Sequence, residues 1–542
     1  MAKYYYETLT PTDYGFLVHE SPNEHMHVTG LATFSAGPLA LPGGGIDFAR
    51  LKKAVADVLH KVPLYRQKLM WVEEEKTSLL GKVASWVQPD TQYPPVWVDD
   101  AQFDIDYHVR HSSLPHPGSD EQLKTLVGQI MSQQLDRAKP LWEVHIIEGL
   151  ADGGFACVTK MHHCMVDGES GIDLTAVLMH IDPKHVPEDG PEFRPRQAPS
   201  QAELKKEVRK AAFLKPWKVL QDLQAFGKQS DNVGKELLER SRAVGELLST
   251  SMGQKRAPSP LNGESSAQRI YDWLDLPLEQ VKVVAKTADA TVNDVILTVV
   301  TGAVRDYCGA RGFDFNKEPF RVSAPVSMRK HSGKKNEEGE MGNEVTQWTV
   351  PLPVHLSSPK KQLATIHAET VAMKDSSAVL AAQTITSILS LRPGLMGAMM
   401  GQATVAVNTV VTNMPGPQFA LYQCGAQMQV ARPVVPLNGG LGIVIGVLSY
   451  NGTISFGLSG DPAIMENLAE FRVSLDKSFR ALLKSTGAGQ AAALKSAPAR
   501  KAAPKRKSRA TKNNSAARKK PAAPKKKAAP RKKSRAAANS AA

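Results

Sequence analysis

Between Arg392 and Asp461 the chain carries a single charged side chain, Arg432. A stretch this long with one charge gives water little to solvate, so most of it has to be enclosed. Two enclosures suit it. One is a buried sheet core. The other is an apolar lining, of a tunnel or against a membrane, which would suit a lipid substrate. The two are compatible.

Charge elsewhere is strongly partitioned. The 542 residues carry a formal net charge of +14. Residues 485–542 hold 18 Lys and Arg and no acidic residue; taking those 18 from the chain's 67 leaves 49 basic against 53 acidic groups in residues 1–484, near −4. The tail repeats clusters such as Lys505-Arg506-Lys507 and Lys525-Lys526-Lys527 between Ala and Pro, with no core-forming residue beyond Leu494. Such a composition predicts a disordered polycation able to bind nucleic acid or anionic lipid headgroups. The remainder is 1–484, too long for one typical domain, and two domains are expected.

Cys157, Cys164, Cys308 and Cys424 show no metal-site spacing and form no disulfide framework. No metal site is expected, and a reducing cytoplasm is the simplest compartment. The first residues include three tyrosines and no apolar run, and no stretch of about 18 apolar residues reads as a membrane span. A cytoplasmic protein, peripheral to a membrane or to lipid inclusions, is the expectation.

Local patterns divide the chain into 1–185, a crossover at 186–266, a second unit at 267–484 and the tail at 485–542. In the first unit, Leu51, Val55, Val58 and Leu59 predict a helix over 51–62. Trp142, Val144 and Ile146 alternate with Glu143 and His145. Phe155–His162 follows the turn Ala151-Asp152-Gly153-Gly154, so the two runs read as a hairpin. Gly171–His180 reads as a buried helix. Gln201–Leu248 mixes Phe213, Leu214 and Trp217 with lysines, as either an interfacial or an ordinary amphipathic helix would. In the second unit a helix with Val292, Val295, Ile296, Val299 and Val300 on one face lies within 278–311, and 319–326 and 344–352 are strand-like.

The chemistry concentrates in Met161-His162-His163-Cys164-Met165-Val166-Asp167-Gly168, where a strand ends and a helix is due to begin. Acyl transfer to an alcohol needs a base for the hydroxyl proton, and an imidazole with an ordinary pKa of about 6.5 suits neutral pH. Asp167 could orient the loop through a partner such as an arginine, and Gly168 would permit a tight turn. No Gly-x-Ser-x-Gly nucleophile elbow is present, and Cys164 is not required as a nucleophile.

His162-His163-x-x-x-Asp167-Gly168 resembles the active-site motif of the coenzyme A-dependent acyltransferases. Further blocks resemble the bacterial wax ester synthase/diacylglycerol acyltransferase family: Pro11-x-Asp13-x-x-Phe16-Leu17 with Met26-His27-Val28, Pro140-Leu141-Trp142-Glu143, Asn293-Asp294, and Asn413-Met414-Pro415-Gly416-Pro417. They occur in matching order over about residues 5–480.

The resemblance implies an α/β (α+β) fold of two chloramphenicol-acetyltransferase-like domains. Each would hold a mixed sheet with helices, with a tunnel between them. It implies an acyl group passing from acyl-CoA, a co-substrate and not a cofactor, to a fatty alcohol or a diacylglycerol. It makes His163 the general base, with His162 supporting it, and Asp167 structural and paired with Arg329. Asn293 would polarise the thioester carbonyl, and Asp294 would either serve the site or brace its helix. Two other readings stay open. One is a condensation-type enzyme using carrier-bound thioesters. The other is a binding protein directed by its tail to DNA or lipid inclusions.

Overall fold

The computed structural model describes residues 4–72, 94–165, 177–208, 256–317, 319–327, 345–374 and 406–488. Asp167, Gly168 and Arg329 lie outside them, as do most of the helices expected at 171–180 and 201–248 and the tail beyond 488.

Two six-stranded mixed sheets organise the chain. The first runs, in spatial order, Tyr422–Gln423 (β12), Ala426–Val434 (β13), His27–Phe34 (β2), Phe155–His162 (β7), Trp142–Glu148 (β6) and Val109–Ser113 (β5). Its pairs are antiparallel except β5 with β6. The second runs Val345–Leu352 (β10), Phe320–Ser327 (β9), Thr409–Pro415 (β11), Ile443–Tyr450 (β14), Thr453–Gly460 (β15) and Ile270–Pro277 (β8), with β11 parallel to both neighbours. A small sheet joins Glu7–Thr8 (β1), Val96–Asp99 (β4) and Gln67–Met70 (β3).

The expected hairpin is β6–β7, with Trp142 opposite Met161 and Glu143 opposite Lys160. Period-2 alternation sorts its side chains. Phe155, Cys157, Trp142, Val144 and Ile146 pack with Leu51 and Val55 of helix α2 (Phe48–Val58). Ala156, Val158 and Ile147 pack on the other face with Val127 and Ile130 of helix α3 (Asp120–Met131). Phe34 and Phe155, opposite one another on β2 and β7, stack with centroids 5.0 Å apart. Such a pair adds about 0.5–1.5 kcal/mol beyond its burial.

One helix limit differs from expectation for a local reason. Helix α2 stops at Val58 and continues as two 3-10 turns, Leu59–Lys61 and Pro63–Arg66. Pro63 lacks an N–H and its ring crowds the carbonyl of residue 59, so the α-helix cannot run on to Val62. The helical region at 278–311 is two helices, α4 (Leu278–Thr287) and α5 (Val292–Gly309). Between them Asp289 has φ 51°, and Thr291 caps α5. Helix α5 packs with α6 (Pro359–Lys374) and α7 (Leu468–Ser485) over the second sheet, around Ile443, Ile445, Phe456 and Phe471. Ala488 is buried in the same core, so ordered structure passes the expected limit at 484.

The nearly uncharged stretch forms β11 to β15, and Ile443, Val444, Ile445 and Leu458 are fully buried. Within it, β12 and β13 leave the second unit's sheet and extend the first, where β13 pairs with β2 from Met428↔Phe34 to Val434↔Thr29. At that crossing Pro433 presses on β14 and β15. A Cβ on Gly457 would sit 1.8 Å from the Pro433 carbonyl oxygen, and one on Gly446, the residue opposite Gly457, 3.0 Å from Pro433 Cγ. Only glycine allows this approach. Tyr271 donates to the Pro433 carbonyl at 3.1 Å, and Arg432 pairs with Asp275 at 2.6 Å while lying over the Trp273 ring. The single charge of the stretch is thereby paired across the seam between the sheets.

Candidate functional site

Strand β7 carries the site. Its inward face places Lys160 and His162 in line below Val158, opposite Thr29 and His27 of β2. Lys160 is buried, and its ammonium donates to the carbonyls of Ile130, at 2.9 Å, and Gln133. These carbonyls lie at and just past the C-terminal end of α3, where a cation is favoured. Burial pushes the Lys160 pKa down to about 8. The strand is thus bolted to α3 one turn of the ladder before the histidines.

The two histidines have different surroundings. His162 is fully buried. Its Nδ1 accepts from the Cys164 N–H at 3.1 Å, so in the neutral ring the proton belongs on Nε2. That nitrogen lies 3.6 Å from Glu20 Oε2. His163 opens a 3-10 turn, His163–Met165, and is only half-buried. Its N–H donates to the Met26 carbonyl at 2.7 Å, and its ring stacks on Phe16 with centroids 3.8 Å apart. Phe16 belongs to helix α1 (Pro11–His19), whose Thr10–Asp13 capping box fixes where it starts.

Glu20, just past α1, gathers the charges. Arg137 donates to its Oε2 from Nη2 at 2.6 Å and from Nε at 3.1 Å, His27 Nε2 lies 3.2 Å from Oε1, and the Met26 N–H reaches Oε1 at 3.3 Å. Burial alone would raise the Glu20 pKa, but the adjacent His162 and His27 rings and the hydrogen-bonded Arg137 outweigh it and hold the carboxyl well below the usual range. Burial pushes His27 down to about 4 against the pull of Glu20, so its ring is neutral near pH 7. Cys164 is buried, and desolvation raises its thiol far above the ordinary value, which leaves no thiolate for attack.

The structure brings His162 and His163 together with Phe16, Glu20 and His27. It does not bring Asp294 to them. Asp294 is buried, and its carboxylate accepts from Thr291 N, His367 Nδ1 and Thr370 Oγ1, each at 2.8 Å. The carboxylate therefore caps α5 and ties it to α6, the arrangement that the bracing alternative expects. Asn293, beside it on the first turn of α5, is half-buried. Trp142 is packing: its indole N–H donates to the Tyr65 carbonyl at 2.7 Å and its ring stacks on His108. Among the described residues no group of three or more His, Cys, Asp or Glu could hold a metal ion. An open polar cleft of about 400 Å³ lies elsewhere, between Asn23–Glu24 and Arg256, Ser265 and Gly439–Gly440, along the seam of the two units.

Glu20, Arg137 and Lys160 were not singled out from sequence, and His27 was named only within a block of the family resemblance. Lys160 left a signal, a lysine at an inward position of an otherwise apolar strand. Glu20 and Arg137, 117 residues apart, left none.

The mixed two-sheet arrangement is the fold of condensation domains. The first condensation domain of the CDA synthetase has this fold, with a TM-score of 0.52 at 15% identity over 90% of this chain and 97% of that one. A wax ester synthase/diacylglycerol acyltransferase from Marinobacter aquaeolei VT8 superposes with a TM-score of 0.60 at 23% identity, over 89% of this chain and all of that one. Residues 9–296 match the wax ester synthase/diacylglycerol acyltransferase catalytic domain and residues 341–483 the C-terminal domain of the same family. Two Mycobacterium tuberculosis proteins named as diacylglycerol O-acyltransferases are similar: one is 28% identical over 88% of this chain and 95% of its own length, the other 30% identical over 89% and 98%. The chain belongs to the wax ester synthase/diacylglycerol acyltransferase family and is an acyltransferase.

Proposed function

We propose that the protein transfers a long-chain acyl group from acyl-CoA to a lipid hydroxyl, of a fatty alcohol or a diacylglycerol, with His163 as general base. One observation supports the assignment within the pair: His162 is fully buried and occupied on its Nδ1 side, whereas His163 is only partly buried at the strand end. His163 takes the hydroxyl proton as the oxygen attacks the thioester carbon. The tetrahedral intermediate collapses, the C–S bond breaks, and the imidazolium returns the proton to the leaving thiolate. Asn293 would polarise the thioester carbonyl, and Asp167 with Arg329 would shape the loop after the histidines. The names of the mycobacterial relatives support a diacylglycerol acceptor, and the uncharged stretch suits an apolar channel.

The test is thiol release from palmitoyl-CoA with hexadecanol or a diacylglycerol, for the natural protein and His163→Ala. A loss of roughly 10²–10⁴ in kcat is expected, the usual range for general-base catalysis. Ester synthesis at an undiminished rate would remove the base assignment. Consumption of acyl-carrier protein in place of acyl-CoA would instead favour the condensation-type reading that the shared fold permits.

The products are insoluble, and we place the enzyme at a membrane or lipid-inclusion surface. No helix among the described residues is long and apolar enough to cross a membrane. The basic tail is the proposed attachment, to anionic lipid or to nucleic acid. Because Ala488 is buried, a tail deletion belongs after Lys495. That truncated chain should keep its turnover on dispersed substrates and lose binding to anionic vesicles. Equal binding to neutral vesicles by the full chain would remove the electrostatic argument.

A further inference from the structure

The buried ring of His162 faces an asymmetric environment. On one side the Cys164 N–H requires Nδ1 to accept. On the other, Nε2 is buried with no hydrogen-bond partner and faces Glu20 Oε2 across 3.6 Å. The carboxylate does not float: Arg137 grips Oε2 through two nitrogens, and Arg137 Nη2 also donates to the Leu17 carbonyl at 3.0 Å, inside the helix that carries Phe16. Oε1 receives the Met26 N–H, and the Met26 carbonyl in turn receives the His163 N–H. Glu20 therefore reaches both sides of the motif. It meets His162 through its ring and His163 through the Met26 peptide.

We infer that Glu20, anchored by Arg137, is a positioning residue that holds His162 as its Nε2–H tautomer and thereby sets the turn from which His163 works. The inference rests on His163 being the base. Glu20 acts through its neighbours and touches no substrate.

An amide in its place would keep the size and one acceptor. It would also put an NH2 group where Arg137, the Met26 N–H or His162 already presents a donor. The cheapest relief is rotation or a tautomer change of His162, which gives up the Cys164 N–H at the start of the motif turn. Misplaced support of this kind lowers turnover and spares binding, typically by ten- to a hundredfold where a partner orients a functional histidine.

The experiment compares kcat and KM of the full chain with palmitoyl-CoA and hexadecanol for the natural protein, Glu20→Gln, Arg137→Ala and His163→Ala. Glu20→Gln should lower kcat by ten- to a hundredfold with KM for both substrates within about twofold. Arg137, about a third exposed, can be removed without emptying the core, and Arg137→Ala should give a smaller kcat loss at unchanged KM. That second variant carries the test if Glu20→Gln fails to fold. A natural kcat in both variants overturns the inference, as does a raised KM at natural kcat. If His163→Ala remains active, the base assignment fails instead, whatever the Glu20 variant does.

Discussion

Replacing Asp294 by alanine separates a brace from a participant in chemistry. The carboxylate is 1% exposed and accepts three hydrogen bonds of 2.8 Å, from Thr291 N, His367 Nδ1 and Thr370 Oγ1. Burial would raise its pKa, but these bonds outweigh that and lower it, so the charged form is the native one. A hydrogen bond to a charged acceptor contributes about 1.5–3 kcal/mol net. Three that share one carboxylate are not additive, and about 3–5 kcal/mol is the expected loss. With an unfolding entropy of about 2.1 cal/mol/K per residue over the compact unit Met1–Lys495, each kcal/mol moves the midpoint by roughly 1 °C. Asp294→Ala should therefore melt about 3–5 °C lower by calorimetry, with turnover per folded molecule within about twofold at 25 °C. Asp294→Asn should lose less, because its amide can donate to Thr370 Oγ1, which itself donates to the His367 carbonyl at 3.0 Å. An unmoved midpoint with turnover down by a hundredfold would refute the bracing argument and put the carboxylate in the reaction.

Three more expectations follow from the same geometry. Lys160 has a native pKa of about 8 against an ordinary 10.5, so between those values the unfolded chain binds more protons and this residue's contribution to stability rises with pH. Denaturation curves from pH 7 to 10 should show the difference between the natural protein and Lys160→Met growing through that window, and a flat difference would contradict it. Gly457→Ala places a Cβ 1.8 Å from the Pro433 oxygen and should cost several kcal/mol or prevent soluble expression, whereas Gly452→Ala meets no atom and tests only the loss of a positive φ of 85°. Cys164 should resist iodoacetamide at pH 7.5 until the protein is denatured, and Cys164→Ala should retain ester synthesis; loss of turnover without loss of fold would revive a nucleophilic thiol.

What was legible in the sequence was local. The β6–β7 hairpin could be read because alternation and an Asp-Gly-Gly turn are contained within Trp142–His162. The helix break before Val292 was written in Thr291 and Asp294, but the capping box was hidden inside a motif that drew attention as chemistry. The partners of the site were not legible. Glu20 and Arg137 meet across 117 residues, and Arg432 and Asp275 across 157. A charge in a sequence shows that a partner is needed and gives no sign of which one. Lys160 shows the limit of pattern: its inward position was readable, whereas the acceptors that make it tolerable, the carbonyls at the end of α3, exist only once that helix has packed.

The crossing of β13 joins these points. The catalytic-domain match ends at residue 296, yet the sheet that presents the histidines is completed by residues 422–434. Strand β2 holds His27 and lies between β7, which ends in His162, and β13. Without β13 its outer backbone groups would be an unpaired edge beside the site. The same strand presses Pro433 onto Gly446 and Gly457 of the other sheet and lends Arg432 to Asp275. The position of β2, and with it the Glu20–His27–His162 cluster, is therefore set by both matched regions at once. A site built this way couples the spacing of the two sheets to the placement of its histidines through one strand. The two residues that permit that strand's approach are glycines, which is a packing requirement that the histidine motif itself does not reveal.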